Sequence, residues 1–187
     1  MHTTRVSLLE RLRQPGDQAA WARFVKLYTP LLCHWARRLG ARGDDVADLV
    51  QDVFTVLVQT LPSFKHDPQK RFRGYLWTIM RNKWREKGRR RHIAQDAGDA
   101  ALAELASPES DDAPGEAEYR QYLVNRALEL MQAEFHPTTW KAFLECTTAD
   151  RSAADVAAEL GLSIDAVYAA KSRVLRRLRQ ELDGLLD

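Results

Sequence analysis

Apolar side chains recur every three to four residues along almost the whole of this 187-residue chain, and no run of alternating β-branched residues bounded by turn signals interrupts them. A chain patterned in this way buries its apolar stripes by packing helix against helix, so the expected fold is all-α. From Asp17, a good N-cap, the positions Trp21, Phe24, Val25, Tyr28, Leu31, Leu32, Trp35 and Leu39 trace one face, and Gly40 stands where a C-cap is needed. Pro30 predicts a kink or a break near Tyr28. A second helix opens at Asp44 or Asp45, sends Val46, Leu49, Val50, Val53, Phe54, Leu57 and Leu61 inward, and ends at Pro62. A third runs from about Phe72 to Arg90, after a polar loop over 65–71.

Between residues 93 and 118 the composition changes abruptly: Pro108, Pro114, Gly98, Gly115, small residues, no aromatics, and eight acidic residues with no Lys or Arg. Such a stretch reads as a solvated, flexible linker. Its 26 residues would span roughly 25–30 Å as a coil and roughly 80–90 Å extended, enough to hold two domains well apart. Helical pattern returns at Tyr119 and breaks near Pro137, Asp150 and Gly161. The expected architecture is therefore two small helical domains, 1–92 and 119–187, joined by an acidic linker over 93–118.

Several classes fall away on composition. Cys33 and Cys146 lie far apart in no metal-ligand or CxxC spacing, so neither a disulfide framework nor a zinc site is expected, and reduced thiols suit a cytoplasmic protein. No apolar stretch approaches the roughly 20 residues that a membrane span needs. The five histidines are scattered and no HExxH, Walker A or GxSxG pattern occurs, so no catalytic residue, metal or cofactor is expected and the chain does not read as an enzyme.

The most specific pattern spans residues 152–167. Ser152 with Asp155 makes a capping box, Val156, Ala157 and Leu160 face a core, Gly161 permits a left-handed turn, and Ser163 caps the next helix. That is a helix-turn-helix, whose second helix can enter the major groove of DNA. At 100° per residue, Val167, Ala170, Val174 and Leu178 share its inner face, while Ala169, Ser172, Arg173, Arg176 and Arg179 point away. Five bases oppose one acid between Ser163 and Gln180, where a merely solvated face would mix signs. Tyr168, Ala169, Ser172 and Arg173 are placed to read bases, and the later arginines Arg176, Arg177 and Arg179 to hold phosphates.

A second basic surface lies between Lys65 and Arg91, where eleven bases meet two acids. Phe72, Tyr75, Trp77 and Trp84 are interleaved with Arg73, Arg81 and Arg85, the combination that single-stranded nucleic acid needs: cations for phosphates and flat rings for unstacked bases. For Phe72, Leu76, Ile79 and Met80 a core role is the simpler reading; for Trp77 and Trp84 core and base platform both remain open. The second helix carries a polar stripe, Asp45, Asp48, Asp52, Thr55 and Gln59, bordered by Gln51. Beside a nucleic-acid surface this stripe would repel DNA, so a protein partner is its more economical use.

Three segments together resemble a known family: Asp44-Asp45-Val46-Ala47-Asp48-Leu49-Val50-Gln51-Asp52-Val53-Phe54, then Phe72-Arg73-Gly74-Tyr75-Leu76-Trp77-Thr78-Ile79-Met80-Arg81-Asn82-Lys83, then the helix-turn-helix. In this order and spacing they are similar to the extracytoplasmic-function (ECF) group of sigma-70 family factors. The resemblance implies a sigma2-like N-terminal domain and a sigma4-like C-terminal domain that bind bacterial core RNA polymerase and promoter DNA. It implies that Asp45, Asp48, Gln51, Asp52 and Thr55 dock on the β′ clamp helices, with a second contact at the β flap. It also implies that Phe64, Phe72, Arg73, Tyr75, Trp77, Arg81, Asn82, Trp84 and Arg85 recognise and help melt the minus-10 element. The minus-35 element would fall to Tyr168, Ala169, Ser172, Arg173, Arg176 and Arg177. An anti-sigma factor is the usual regulator of such proteins. Two departures stand out: Lys171-Ser172-Arg173 does not directly follow Val167 as in the commoner form, and the 65–71 loop is idiosyncratic.

Overall fold

A computed structural model of the chain describes residues 7–14, 16–64, 72–95 and 115–186, and the loop over 65–71 and most of the acidic segment lie outside them. Among the described residues eight α-helices follow one another: α1 (Leu8–Leu12), α2 (Gln18–Arg38), α3 (Asp44–Thr60), α4 (Phe72–Gln95), α5 (Glu116–Met131), α6 (Pro137–Thr147), α7 (Ala153–Leu160) and α8 (Ile164–Leu182). Short 3-10 turns follow α3 and α5, and no strand forms among the described residues beyond one isolated bridge, Asp183 with Leu186. The fold is all-α, as the periodicity requires.

Local chemistry sets the helix ends. Asp17 accepts from the Ala20 N–H at the start of α2, and Ser7 and Glu10 form a reciprocal capping box on α1. At the turn between α7 and α8, Gly161 adopts φ 64°, ψ 33°, the Leu162 N–H closes on the Ala157 carbonyl at 2.9 Å, and Ser163 caps the Ala166 N–H at 3.1 Å. At the front of α7 the Ser152 hydroxyl accepts from the Asp155 N–H and also donates to the Asp155 carboxylate at 2.6 Å, a variant of the expected box.

Pro30 neither breaks nor ends α2, which is helical from Gln18 to Arg38. A proline at 30 cannot donate to the carbonyl of residue 26. That orphaned Lys26 carbonyl is taken at 3.2 Å by the Arg126 guanidinium, reaching across from α5, and the Tyr122 hydroxyl of the same helix donates to the next carbonyl, Leu27, at 3.4 Å. Arg126 of α5 thus supplies the one donor that the proline removes, and Tyr122 adds a second bond beside it.

These contacts belong to a wider docking. The linker is long enough to separate the halves, yet one continuous apolar core runs through both. Phe24, Leu27, Tyr28, Trp35, Leu57, Phe72 and Leu76 come from α2–α4, and Tyr119, Leu123, Met131, Leu182 and Leu185 from the second half. Tyr119 donates its hydroxyl proton to the Leu185 carbonyl at 3.0 Å, so Tyr28, 2.8 Å from the same oxygen, must be the donor in the Tyr28–Tyr119 bond. Short α1 lies beneath the C-terminus, where Gly184 (φ 74°) passes Leu9 so closely that a Cβ would sit 3.0 Å from the Leu9 Cδ2. Arg23 of α2 seals the joint: Nε meets Glu181 at 2.6 Å, Nη2 meets Glu134 at 3.0 Å, and Nη1 donates to the Leu130 carbonyl at 2.9 Å, capping the end of α5. Two smaller apolar clusters hold the helix-turn-helix together, Ala142, Val156, Ala157, Val167 and Ala170 in one, Trp140, Phe143 and Val174 in the other.

Candidate interaction surfaces

Helix α3 buries Val46, Leu49, Val50, Val53 and Leu57 and turns Asp48, Gln51, Asp52 and Thr55 to solvent, so the expected polar stripe exists as one face. Its acids are not equivalent. Lys87 of α4 pairs with Asp45 at 2.9 Å and with Asp48 at 3.0 Å. Burial works against the charge on Lys87, and the two carboxylates overcome it, raising the ammonium above its ordinary value. Asp52 forms no ion pair with any described residue and is exposed. Between α3 and α4 lies an open groove of about 570 Å³, with Asp48, Gln51 and Asp52 on one wall and Lys83, Glu86, Lys87 and Arg90 on the other. The acidic and basic faces thus meet along one edge.

Helix α4 buries Phe72, as its pattern indicates, and also Trp77, for which the pattern leaves core and base platform open; the resemblance implies a minus-10 role for both. Phe72 is fully buried among Phe24, Tyr28, Phe64 and Tyr75, and Trp77, 8% exposed, packs edge-on against Trp35 with ring centroids 5.6 Å apart. Neither ring is free to stack on a base in this conformation; both are core. Trp77 sits one position from Leu76 on the edge of the buried face, and the large Trp35 reaches across to cover it. Phe64, Tyr75 and Trp84 are half-buried, with Tyr75 and Phe64 rings 4.8 Å apart and the Tyr75 hydroxyl bonded to Thr60. Asn82 is exposed, and Arg73, Arg81 and Arg85 are half-exposed; the Nε of Arg81 and one Nη of Arg85 find no acceptor among the described residues.

Helix α8 presents Tyr168, Ala169, Ser172, Arg173, Arg176 and Arg179 outward, opposite the buried Val167, Ala170, Val174 and Leu178. Arg177 leaves this set. Its Nε pairs with Glu134 at 2.9 Å and its Nη1 with Glu181 at 2.6 Å, on the far side from Tyr168, so it serves the joint between the halves and not a phosphate. Burial opposes its charge, and Glu181 and Glu134 raise its pKa in spite of that. Arg23, Glu134 and Glu181 were not singled out from sequence. The available signal was Glu181 itself, a carboxylate in register with the buried Val174 and Leu178, which a cation must accompany.

The turn before the helix-turn-helix is braced by charge. Arg151 pairs with Glu145 of α6 at 3.0 Å and with Glu159 of α7, and Lys141 pairs with Glu159 at 2.9 Å. Lys141 and Arg151 together hold the Glu159 carboxyl at about 2, against an ordinary value of 4.5. A depressed acid pKa stabilises the fold above the unfolded value and loses that contribution as pH falls towards the folded one. Helical signal of the wild type should therefore be lost more steeply than that of Glu159→Gln as pH falls from about 4.5 to about 2; parallel acid titrations by circular dichroism would show the brace to be idle.

Among the described residues no three His, Cys, Asp or Glu are placed to hold a metal ion, and no helix is long and apolar enough to cross a membrane. What the fold and its surfaces define is a helical, helix-turn-helix protein with segregated acidic and basic faces. Residues 24–92 match the family model described as Sigma-70 region 2. Over 180 residues the chain is 31% identical to the RNA polymerase sigma factor CnrH of Cupriavidus metallidurans, covering 92% of this chain and 89% of that one. It is 37% identical over 110 residues to the RNA polymerase sigma factor NccH of Alcaligenes xylosoxydans xylosoxydans, 57% of this chain and 56% of that one. The chain belongs to the ECF group of the sigma-70 family of RNA polymerase sigma factors. Among solved structures it is similar to CnrH in complex with the cytosolic domain of CnrY (26% identity, 91% of this chain and 92% of that one, TM-score 0.38). A second is the sigma factor RpoE in complex with the anti-sigma factor NepR from Bartonella quintana (22% identity, 85% and 94%, TM-score 0.36).

Proposed function

We propose that this sigma factor binds core RNA polymerase through the exposed face of α3, with Asp52 as its principal charge and Asp48, Gln51 and Thr55 around it. The basic face of α4 takes the minus-10 region, and the outer face of α8 takes the minus-35 element. In this division residues 1–92 act as the sigma2-like unit and 119–187 as the sigma4-like unit. The observation that carries the reading is the segregation of charge on one small molecule. An acid free of any described cation sits on α3, while Arg173, Arg176 and Arg179 share a single exposed stripe of α8. A basic stripe on a helix-turn-helix second helix suits phosphates and base edges, and an acidic stripe suits a basic protein surface.

On α4 the roles fall to Arg73, Arg81, Asn82 and Arg85, with the half-buried Phe64, Tyr75 and Trp84 as the aromatic surface. Arg81 and Arg85, half-exposed on this face, would offer phosphate oxygens the guanidinium nitrogens that remain accessible. The relative CnrH is found with CnrY, and a protein of that kind is the expected regulator of this chain. Run-off transcription with purified core polymerase and promoters selected from a random library tests the whole. Stimulation of specific transcripts is the expected result; no stimulation from any selected promoter would leave a freestanding helix-turn-helix regulator as the better reading.

A further inference from the structure

Four large apolar side chains are exposed among the described residues, and two of them, Ile164 (48% exposed) and Tyr168 (58%), stand one turn apart on the outer face of α8. The fold makes no use of them. The helix start is secured by Ser163, Leu162 lies against the apolar cluster of Ala142, Val156, Ala157, Val167 and Ala170, and Val174 extends the inner face. Exposed apolar surface is a cost that a partner can relieve. The surroundings identify the partner. Ser172 continues the same line, and Arg173, Arg176 and Arg179 follow on the same exposed face, with Arg176 about 18 Å along the axis from Ile164. A stripe with aliphatic and aromatic groups at its leading end and cations behind fits a duplex entered helix-first, its phosphates met by the arginines. In the major groove the apolar feature of a base-pair edge is the thymine C5 methyl.

We propose that Ile164 and Tyr168 are specificity-determining residues that read thymine methyl groups in the upstream promoter element. The inference rests on the assignment of α8 to that element and adds what its leading turn recognises: one or two A·T pairs, chosen by methyl burial instead of by arginine hydrogen bonds. Asp165, exposed on the same turn, would repel a phosphate but can accept from a cytosine amino group, so it also favours base edges over backbone at this end.

The test uses the holoenzyme, core polymerase with the full chain, and a promoter on which it is active. Each thymine of the upstream element, on either strand, is replaced singly by uracil, which removes only the methyl group, and binding is measured. At one or two positions uracil should weaken the wild type about four-fold, the effect of losing one buried methyl, and should have no further effect on Ile164→Ala or Tyr168→Ala, which have already lost the contact. The proposal is overturned by a selected element without thymine, by the absence of any uracil effect in a holoenzyme that binds its promoter specifically, or by an undiminished effect in both variants. A defect of the two variants confined to binding a protein partner would overturn it too. A wild-type holoenzyme that binds no promoter at all is a different failure, of the α8 assignment itself.

Discussion

Replacing Glu181 with alanine should lower the stability of the protein by about 2–3 kcal/mol and its melting temperature by about 5–10 °C. Glu181 is 4% exposed and receives two guanidinium groups at 2.6 Å, Arg23 from α2 and Arg177 from its own helix. Removing one partner of a buried pair costs about 3–5 kcal/mol when the charge left behind is fully enclosed. Here Arg23 and Arg177 are each about a fifth exposed and keep Glu134, so the cost falls to the bottom of that range or just below it. Glu181→Gln preserves the shape and one acceptor and should recover part of the loss. Urea unfolding of the three proteins measures it, and a variant as stable as wild type would mean that the four-membered network contributes nothing to the joint.

The second large effect concerns polymerase. Asp52→Arg should weaken binding to core polymerase by about 10–100-fold, most strongly at low salt, while changing stability by less than about 0.5 kcal/mol. The residue suits such a test because it is exposed and pairs with no described cation, so reversing its charge disturbs the partner and not the fold. Asp48→Arg is a less clean probe. It breaks the bond to Lys87 and places two cations side by side, which mixes a local structural loss with the loss of docking. Unchanged co-purification of Asp52→Arg with polymerase would remove α3 from the interface.

What could be foreseen in the sequence was local. The helix ends at Asp17, Ser152, Gly161 and Ser163 follow from side chains bonding to backbone within a few residues, and the inner face of α8 follows from periodicity alone. The α3 stripe is legible for the same reason, since its buried and exposed positions alternate on one helix. What was missed depends on partners distant in the chain. Trp77 looks like part of a polar stripe until Trp35 is placed against it, and Arg177 looks like one more DNA-facing arginine until Glu134 arrives from 43 residues away. Pro30 predicts a kink or a break, and the break does not occur, because nothing in its neighbourhood reveals that Arg126, a hundred residues from Lys26, will occupy the abandoned carbonyl. Likewise Asp45, Asp48 and Asp52 are alike in sequence, and it is Lys87, 39 residues on from Asp48, that sets the first two apart from the third.

The core shared by α2–α4 with α5, α8 and the C-terminus changes the meaning of the acidic stretch between them. If the two halves grip each other through Tyr28, Tyr119, Arg23 and Glu181, the intervening chain is not what keeps them together. Its contribution is that of a tether. It fixes the concentration at which one half meets the other, so that any partner prising them apart competes against an intramolecular event that dilution cannot weaken.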